Sequence, residues 1–261
     1  MEKTRTKNEL AKAAVAAALA AALAATLGLA GCGASDNNGN AANGGQQAQG
    51  QQPSIFPSTQ LASVEEVADL MDLCVVAANT QMQDGYEAIR DAMGSDYEGY
   101  AAAVPQLEAW YAANQETARA LYAQLEEIAA AGYRLIAADG QGEYQTWNTA
   151  MGDIYHAWDD ACGDFYHSWD NLLGDAYHDC DKLLKGAGKS AGYEQAQQAW
   201  KAMYQRHSDS WSALYGLHSD AWGRLYKRHS AVWEGFYKGS TKVDELLAAA
   251  DAELEAQEGG E

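Results

Sequence analysis

The chain has 261 residues, enough for one large domain or two small ones. Its formal net charge of −20 argues against nucleic-acid binding, because neutralising phosphates needs clustered lysine and arginine. Only three prolines are present, which suits a helical protein, and the four cysteines lack the CxxC spacing of zinc or redox sites.

The first 31 residues have the pattern of a secretory signal peptide. Four basic residues lie within 1–12, and 13–30 is an almost continuous apolar run. The run ends in Leu29-Ala30-Gly31-Cys32, which resembles the lipobox of bacterial lipoproteins. The resemblance covers only this end of the chain. It implies cleavage before Cys32, a lipid on Cys32, and a mature protein anchored outside the cytoplasmic membrane. The alternative is an uncleaved membrane helix with an incidental cysteine.

A polar stretch follows the predicted signal peptide. Residues 33–58 are mostly Gly, Asn, Gln, Ala and Ser, with too few apolar side chains to offset the entropy of ordering them. Residues 32–58 are therefore expected to form a lipidated cysteine and a disordered tether, and 59–258 a helical domain.

Hydrophobic periodicity predicts four helices, at about 63–93, 97–138, 143–185 and 193–253. Ser63 is the expected N-cap of the first. The second begins at Tyr97 or, after a break, at Pro105, since proline is tolerated in a first turn. The run Asp139-Gly140-Gln141-Gly142 favours a turn before the third helix. The apolar spacing of 243–247 extends the fourth.

Aromatic residues recur every eleven residues through the helical region. Eleven residues is close to three helical turns, so each row follows one side of a helix. The tyrosine rows are Tyr100, Tyr111, Tyr122, Tyr133, Tyr144, Tyr155, Tyr166 and Tyr177, then Tyr193, Tyr204, Tyr215, Tyr226 and Tyr237. The pattern predicts an all-α fold, an elongated antiparallel helical bundle or helical hairpin with eleven-residue (hendecad) repeats.

The third and fourth predicted helices have opposite charge and read as an antiparallel hairpin. Folding the hairpin about its loop places three tryptophans of one helix near three histidines of the other. The expected pairs are Trp169 with His207, Trp158 with His218, and Trp147 with His229. A slip of one eleven-residue unit satisfies the same pattern.

Most of these aromatic rows are expected to form the core, because long helices need an apolar stripe to hold them together. The alternative is an exposed platform for a sugar, a flat ligand or a partner helix. The histidine row is either hydrogen-bonded in the core or a buried pH switch. The surface that would hold a ligand or partner comprises Trp147, Trp158, Trp169, His207, His218, His229, Trp211 and Trp222.

Three other patterns have alternative interpretations. Asp153, His156 and Asp160 lie at helical spacing and could share a divalent cation, although a solvated acidic face explains them as well. Glycines recur in the middle of the third helix at 152, 163 and 174, which indicates close helix approach or copying of a repeat unit. Cys162 and Cys180 are too far apart on one helix to pair, and Cys74 could pair with either or remain a free thiol.

No GxSxG, P-loop, HExxH or Cys/His motif is present, so we expect a protein that is not an enzyme and has no cofactor. The leading hypothesis is an envelope-anchored structural or protein–protein interaction module. The expected partners are the membrane, through the lipid, and a protein or a second copy. The alternative is a ligand-binding lipoprotein that uses Trp, Tyr and His between helices for a flat ligand, a sugar or a divalent metal. A third hypothesis is an unrecognised hydrolase.

Overall fold

The computed structural model describes residues 55–140, 142–187 and 192–258. The predicted signal peptide, Cys32 and the tether up to residue 54 lie outside these ranges. Within them the protein is all-helical, as predicted. The helices are α1 (Glu66–Met93), α2 (Tyr97–Ala138), α3 (Tyr144–Ala187), α4 (Tyr193–Tyr237) and α5 (Val243–Glu258). None of them combines the length and hydropathy of a membrane span.

The five helices form one elongated bundle in which consecutive helices run antiparallel. Helix α2 lies at its centre and packs against each of the other four. Helix α1 packs on α2 and α3, and α4 packs on α2, α3 and α5. The three longest helices have 42, 44 and 45 residues, which corresponds to roughly 65 Å each. The prediction of an elongated antiparallel bundle is confirmed.

The ends of α2 follow the sequence signals. The Asp96 carboxylate caps the helix by accepting a hydrogen bond from the Gly99 amide, 2.8 Å away. Helix α2 continues through Pro105 rather than restarting there. Pro105 cannot donate to the Ala101 carbonyl, but Ala101 is exposed, so water can satisfy the freed oxygen. The predicted turn is present, and Gly140 adopts a φ of 75° that favours glycine.

The predicted fourth helix, 193–253, is in fact two helices. Helix α4 ends at Tyr237, and the backbone reverses through Gly239, whose φ is 82°. The Ser240 amide bonds back to the Gly235 carbonyl at 2.9 Å, which closes the helix end. Helix α5 then folds back so that Leu246 packs onto Gly235. The apolar spacing of 243–247 serves this contact and not a continuation of α4.

The residues before α1 pack against the bundle. Ile55 and Phe56 lie against the core. Gln124 of α2 donates to the Thr59 hydroxyl at 2.7 Å and so holds this segment. Ser63 is not the N-cap of α1, because Glu65 occupies that position and makes no side-chain capping hydrogen bond.

The core contains the α2 tyrosines, the α3 tryptophans and the cysteines. Cys74, Cys162 and Cys180 are buried free thiols, so the alternative of a disulfide from Cys74 is not realised. The α3 glycines at 152, 163 and 174 meet nothing within 4 Å of an added Cβ. Close helix approach therefore does not explain these glycines.

The hairpin register differs from the predicted one. Tyrosines, and not tryptophans, face the histidines, with ring centroids 4.6 to 5.2 Å apart in the pairs Tyr177–His207, Tyr166–His218 and Tyr155–His229. Because α3 continues to Ala187, the turn lies nearer the C-terminus than the midpoint used for the prediction. The facing residues shift accordingly.

Candidate functional site

The outer side of α4 exposes a row of aromatic side chains. Seven of the nine large exposed hydrophobic residues in the described ranges lie on this helix. They include Trp211 at 43% and Trp222 at 41% exposure, and tyrosines from 51% to 73%. A large exposed apolar patch on a folded chain marks an interaction site more often than a scattered surface residue does. The row is therefore the first candidate for function.

The row consists of four Trp–Tyr pairs in which the two residues are four apart. The rings stack with centroids 5.5 to 5.9 Å apart and planes inclined by 7 to 19° in Trp200–Tyr204, Trp211–Tyr215, Trp222–Tyr226 and Trp233–Tyr237. In each pair, the Trp and Tyr rings therefore cover one face of each other. The opposite face of each ring is not in contact with its partner.

A side chain of α3 fixes the orientation of each tryptophan. The indole N–H groups donate to acceptors eleven residues apart, at 2.8 to 3.3 Å, in Trp200–Asp181, Trp211–Asp170, Trp222–Asp159 and Trp233–Asn148. A charged or amide acceptor restricts the ring in a way that packing on an exposed surface would not. The exposed rings are consequently preorganised rather than loose.

A surface cavity opens between two consecutive stacked pairs. Its walls are Tyr226 and Trp233 of α4, and its other lining residues are His229 and Ser230 of α4 and Tyr155 of α3. The far face of Tyr226 is covered by Trp222, and the far face of Trp233 by Tyr237. The cavity is shallow and open to solvent, and its volume is about 340 Å³.

The same residues occur three times along the hairpin. On α4 the pattern is Tyr-x-x-His-Ser-x-x-Trp, and a tyrosine of α3 packs on each histidine. We call these groups slot 1 (Tyr204, His207, Ser208, Trp211, Tyr177), slot 2 (Tyr215, His218, Ser219, Trp222, Tyr166) and slot 3 (Tyr226, His229, Ser230, Trp233, Tyr155). The segment from Tyr193 to Trp200 has the same Tyr and Trp spacing but Ala196 and Gln197 in place of His and Ser. It is therefore not counted as a slot.

The slot histidines lie between three helices. Their Nδ1 atoms face tyrosine hydroxyls of α2, at 3.3 Å for Tyr122–His218 and 3.0 Å for Tyr133–His229. His207 Nδ1 has no hydrogen-bond partner among the described residues. Burial lowers the pKa of all three imidazoles, and that of His229 to about 4. At neutral pH the back of each slot is therefore uncharged.

Carboxylates border the slots. Burial raises the pKa of Tyr155, and the negative charge of Asp159 raises it further. Burial raises the pKa of Tyr166 as well, and the negative charge of Asp170 raises it further. Asp159 also holds the indole of Trp222, so one carboxylate lies at the edge of slot 2 and near the α3 tyrosine of slot 3. The slots thus combine apolar walls with a negative rim.

The sequence-predicted site residues differ in burial, although Trp158 of α3 contacts Trp222 of α4 with ring centroids 6.3 Å apart. Trp147, Trp158 and Trp169 are buried in the core and do not line the exposed surface. The histidines and two α4 tryptophans, Trp211 and Trp222, belong to the slots.

The weak metal candidates Asp153, His156 and Asp160 are exposed on the outer side of α3. Across 55–140, 142–187 and 192–258, no group of three His, Cys, Asp or Glu side chains is arranged to hold a metal ion.

The sequence interpretation did not identify the serines, the slot tyrosines as walls, or the aspartates that hold the indoles. One signal was present, since Tyr-x-x-His-Ser-x-x-Trp recurs three times without a change in these four residue types.

Comparisons with protein-family models, curated proteins and solved structures gave no match.

Proposed function

We propose that this protein is a ligand-binding lipoprotein of the cell envelope, anchored by lipid at Cys32, which binds small ligands or small groups of a larger molecule in slots 1–3. The observation that carries the proposal is the cavity between Tyr226 and Trp233, whose two walls are supported from behind by stacked rings. Core packing does not need an exposed cavity, and a solvated face does not need fixed indoles.

The arrangement supports binding rather than catalysis. The titratable groups in contact with the cavity are a tyrosine from each of α3 and α4 and one histidine whose pKa burial lowers to about 4. The Nδ1 atom of this histidine is already bonded to the Tyr133 hydroxyl, 3.0 Å away. A residue pattern repeated three times about eleven residues apart also suits repeated binding better than a single reaction centre.

The test is a titration of the full-length protein in detergent with three sets of probes. These are chito-oligosaccharides, free aromatic amino acids, and small ammonium compounds. We expect one set to change tryptophan emission and raise the unfolding temperature, because a ligand that binds only the folded state stabilises it. The double variant Tyr215→Ala/Tyr226→Ala removes a wall from slots 2 and 3 and should lose about two thirds of both responses, since slot 1 is left intact.

Tyr193→Ala is the matched control, since Tyr193 is an exposed tyrosine of the same helix outside the slots. It should respond as the wild type does. An absence of response to all three sets at millimolar concentration would contradict the proposed function, as would equal responses of the double variant and the wild type.

A protein–protein interaction module is the second candidate. The aromatic row continues past the slots to Tyr193 and Tyr237, which is the observation in its favour. A partner that covers the whole row would depend on Tyr193 as much as on Tyr215, whereas slot binding would not. The control variant therefore separates the two candidates.

A further inference from the structure

We propose that slots 1–3 are cages for quaternary or alkylated ammonium groups, so that the ligand is a molecule carrying a choline-like cation. This inference rests on the proposed ligand-binding function and names the chemical class that it serves.

The separation of the slot walls fits a compact cation. Tyr226 and Trp233 are seven residues apart on one helix, which separates their rings by roughly 10 Å along its axis. A cation midway between them lies about 5 Å from each ring centre, within the ~6 Å over which a ring face attracts a cation. A single flat ring would not fill this width at ordinary stacking distance on both sides.

The potential inside the slot is negative. Each wall presents an aromatic face, which carries the negative part of the ring quadrupole. The tyrosine of α3 adds a third ring, 5.2 Å from the imidazole in slot 3. A site bounded by several aromatic faces attracts cations with an apolar surface, and a fully methylated ammonium has such a surface and loses little hydration on entry.

The carboxylates at the slot edges favour a cation, and the basic side chains between the slot tyrosines and histidines, Arg206, Lys227 and Arg228, form ion pairs with Glu108, Glu253 and Glu126. Carboxylates hold the indoles of slots 1 and 2, and an amide, Asn148, takes that position in slot 3. The imidazole does not oppose the cation, because burial lowers the pKa of His229 to about 4 and leaves the ring neutral at pH 7. The net charge of −20 for the whole chain adds a long-range attraction.

The slots differ in the side chain that accepts the indole hydrogen bond. Slots 1 and 2 have a carboxylate at the indole edge, whereas slot 3 has the neutral Asn148. If the bound group is a cation, slot 3 binds it more weakly than the other two, and Asn148→Asp strengthens slot 3. A neutral ligand would not respond to this substitution in that direction.

The experiment compares choline with 3,3-dimethylbutan-1-ol, its uncharged carbon analogue of the same shape, by calorimetric titration of the full-length protein. We expect choline to bind at three sites per chain, more weakly as sodium chloride is raised, and at least about tenfold more tightly than the alcohol. Tyr226→Ala should remove one site, Tyr193→Ala should remove none, and Asn148→Asp should raise the affinity of one site severalfold.

Equal binding of the alcohol would overturn the cation proposal, since the slot would then recognise shape and apolar surface alone. Binding of chito-oligosaccharides or aromatic amino acids without choline would also overturn it, while leaving the proposed ligand-binding function intact. Dimerisation that prevents choline binding and is weakened by Tyr226→Ala would place a second copy of the chain in the slots and contradict the inference. A failure of all probes would contradict both proposals together.

Discussion

The effect of a glycine in this bundle depends on what lies beside it. Gly163 of α3 faces open space, and an added Cβ would meet nothing within 4 Å. Gly132 of α2 lies against the opposite helices, where an added Cβ would be 2.8 Å from Ile154 Cδ1 and 3.0 Å from Val67 Cγ2. The first glycine therefore costs helix stability without any packing gain, whereas the second permits close packing.

Gly163→Ala should accordingly raise the free energy of unfolding by about 1 kcal/mol, the difference in helix propensity between the two residues. Gly132→Ala should lower it by about 1–3 kcal/mol, because the new methyl group overpacks the core. Urea denaturation of the two variants and the wild type measures both changes. A loss of stability in Gly163→Ala would show that this position is not open.

The slot histidines make stability depend on pH. The imidazole of His229 has a pKa lowered by burial from 6.5 to about 4, so between these values the unfolded chain binds more protons than the folded one. Stability from this residue is fully present above pH 6.5 and is lost as pH falls toward about 4. His207 and His218 shift in the same direction for the same reason.

His229→Gln should therefore flatten the dependence of the free energy of unfolding on pH, by at most roughly 3 kcal/mol across this window. Denaturation curves at several pH values between 4 and 8 measure the slope. His156→Gln changes an exposed histidine of α3 and should leave the slope unaltered. An unchanged slope in His229→Gln would contradict the assignment.

At the scale of the elements, an ion cluster joins α2, α4 and α5. Glu126 of α2 accepts from Arg228 and Arg224 of α4, and Arg228 reaches Asp251 of α5 at 3.5 Å. The side chains of Glu126 and Arg228 are 11% and 10% exposed. Breaking a buried pair by removing one partner costs more than an exposed pair contributes, because the remaining charge stays desolvated.

Glu126→Ala should therefore lower the free energy of unfolding by about 3 kcal/mol and increase hydrogen exchange of the α5 amides. The control is Asp244→Ala, which breaks a pair between Arg134 of α2 and Asp244 of α5. Because Arg134 and Asp244 are 46% and 76% exposed, that change should cost less than about 1 kcal/mol. Equal costs of the two variants would contradict the difference in burial.

Local signals predicted most helix ends, and long-range contacts determined those that were missed. Gly140 and Asp96 are turn and cap residues, so the limits of α2 could be found from the sequence. The break after Tyr237 was missed because 243–247 keeps the apolar spacing of a continuous helix, although Gly239 was present as a stop signal. Spacing cannot distinguish an apolar residue that continues a helix from one that packs back onto it.

Whole-molecule geometry limited what could be said of the site. The repeat predicted the three histidines beside the α3 tryptophans, whereas each histidine packs on a tyrosine of α3. Which side of α4 is buried depends on where α2 and α3 cross it, and no single-helix pattern contains this information. Hence the α3 tryptophans were grouped with the α4 surface, although they lie in the core.

Helices α2 and α4 run parallel, and their contacts keep one offset along the bundle. Tyr122–His218 and Tyr133–His229 are both 96 residues apart. Because every row advances by the same step, a layer can be added or removed without altering the cross-section. Each added layer of eleven residues would therefore lengthen the bundle by roughly 16 Å and add one slot.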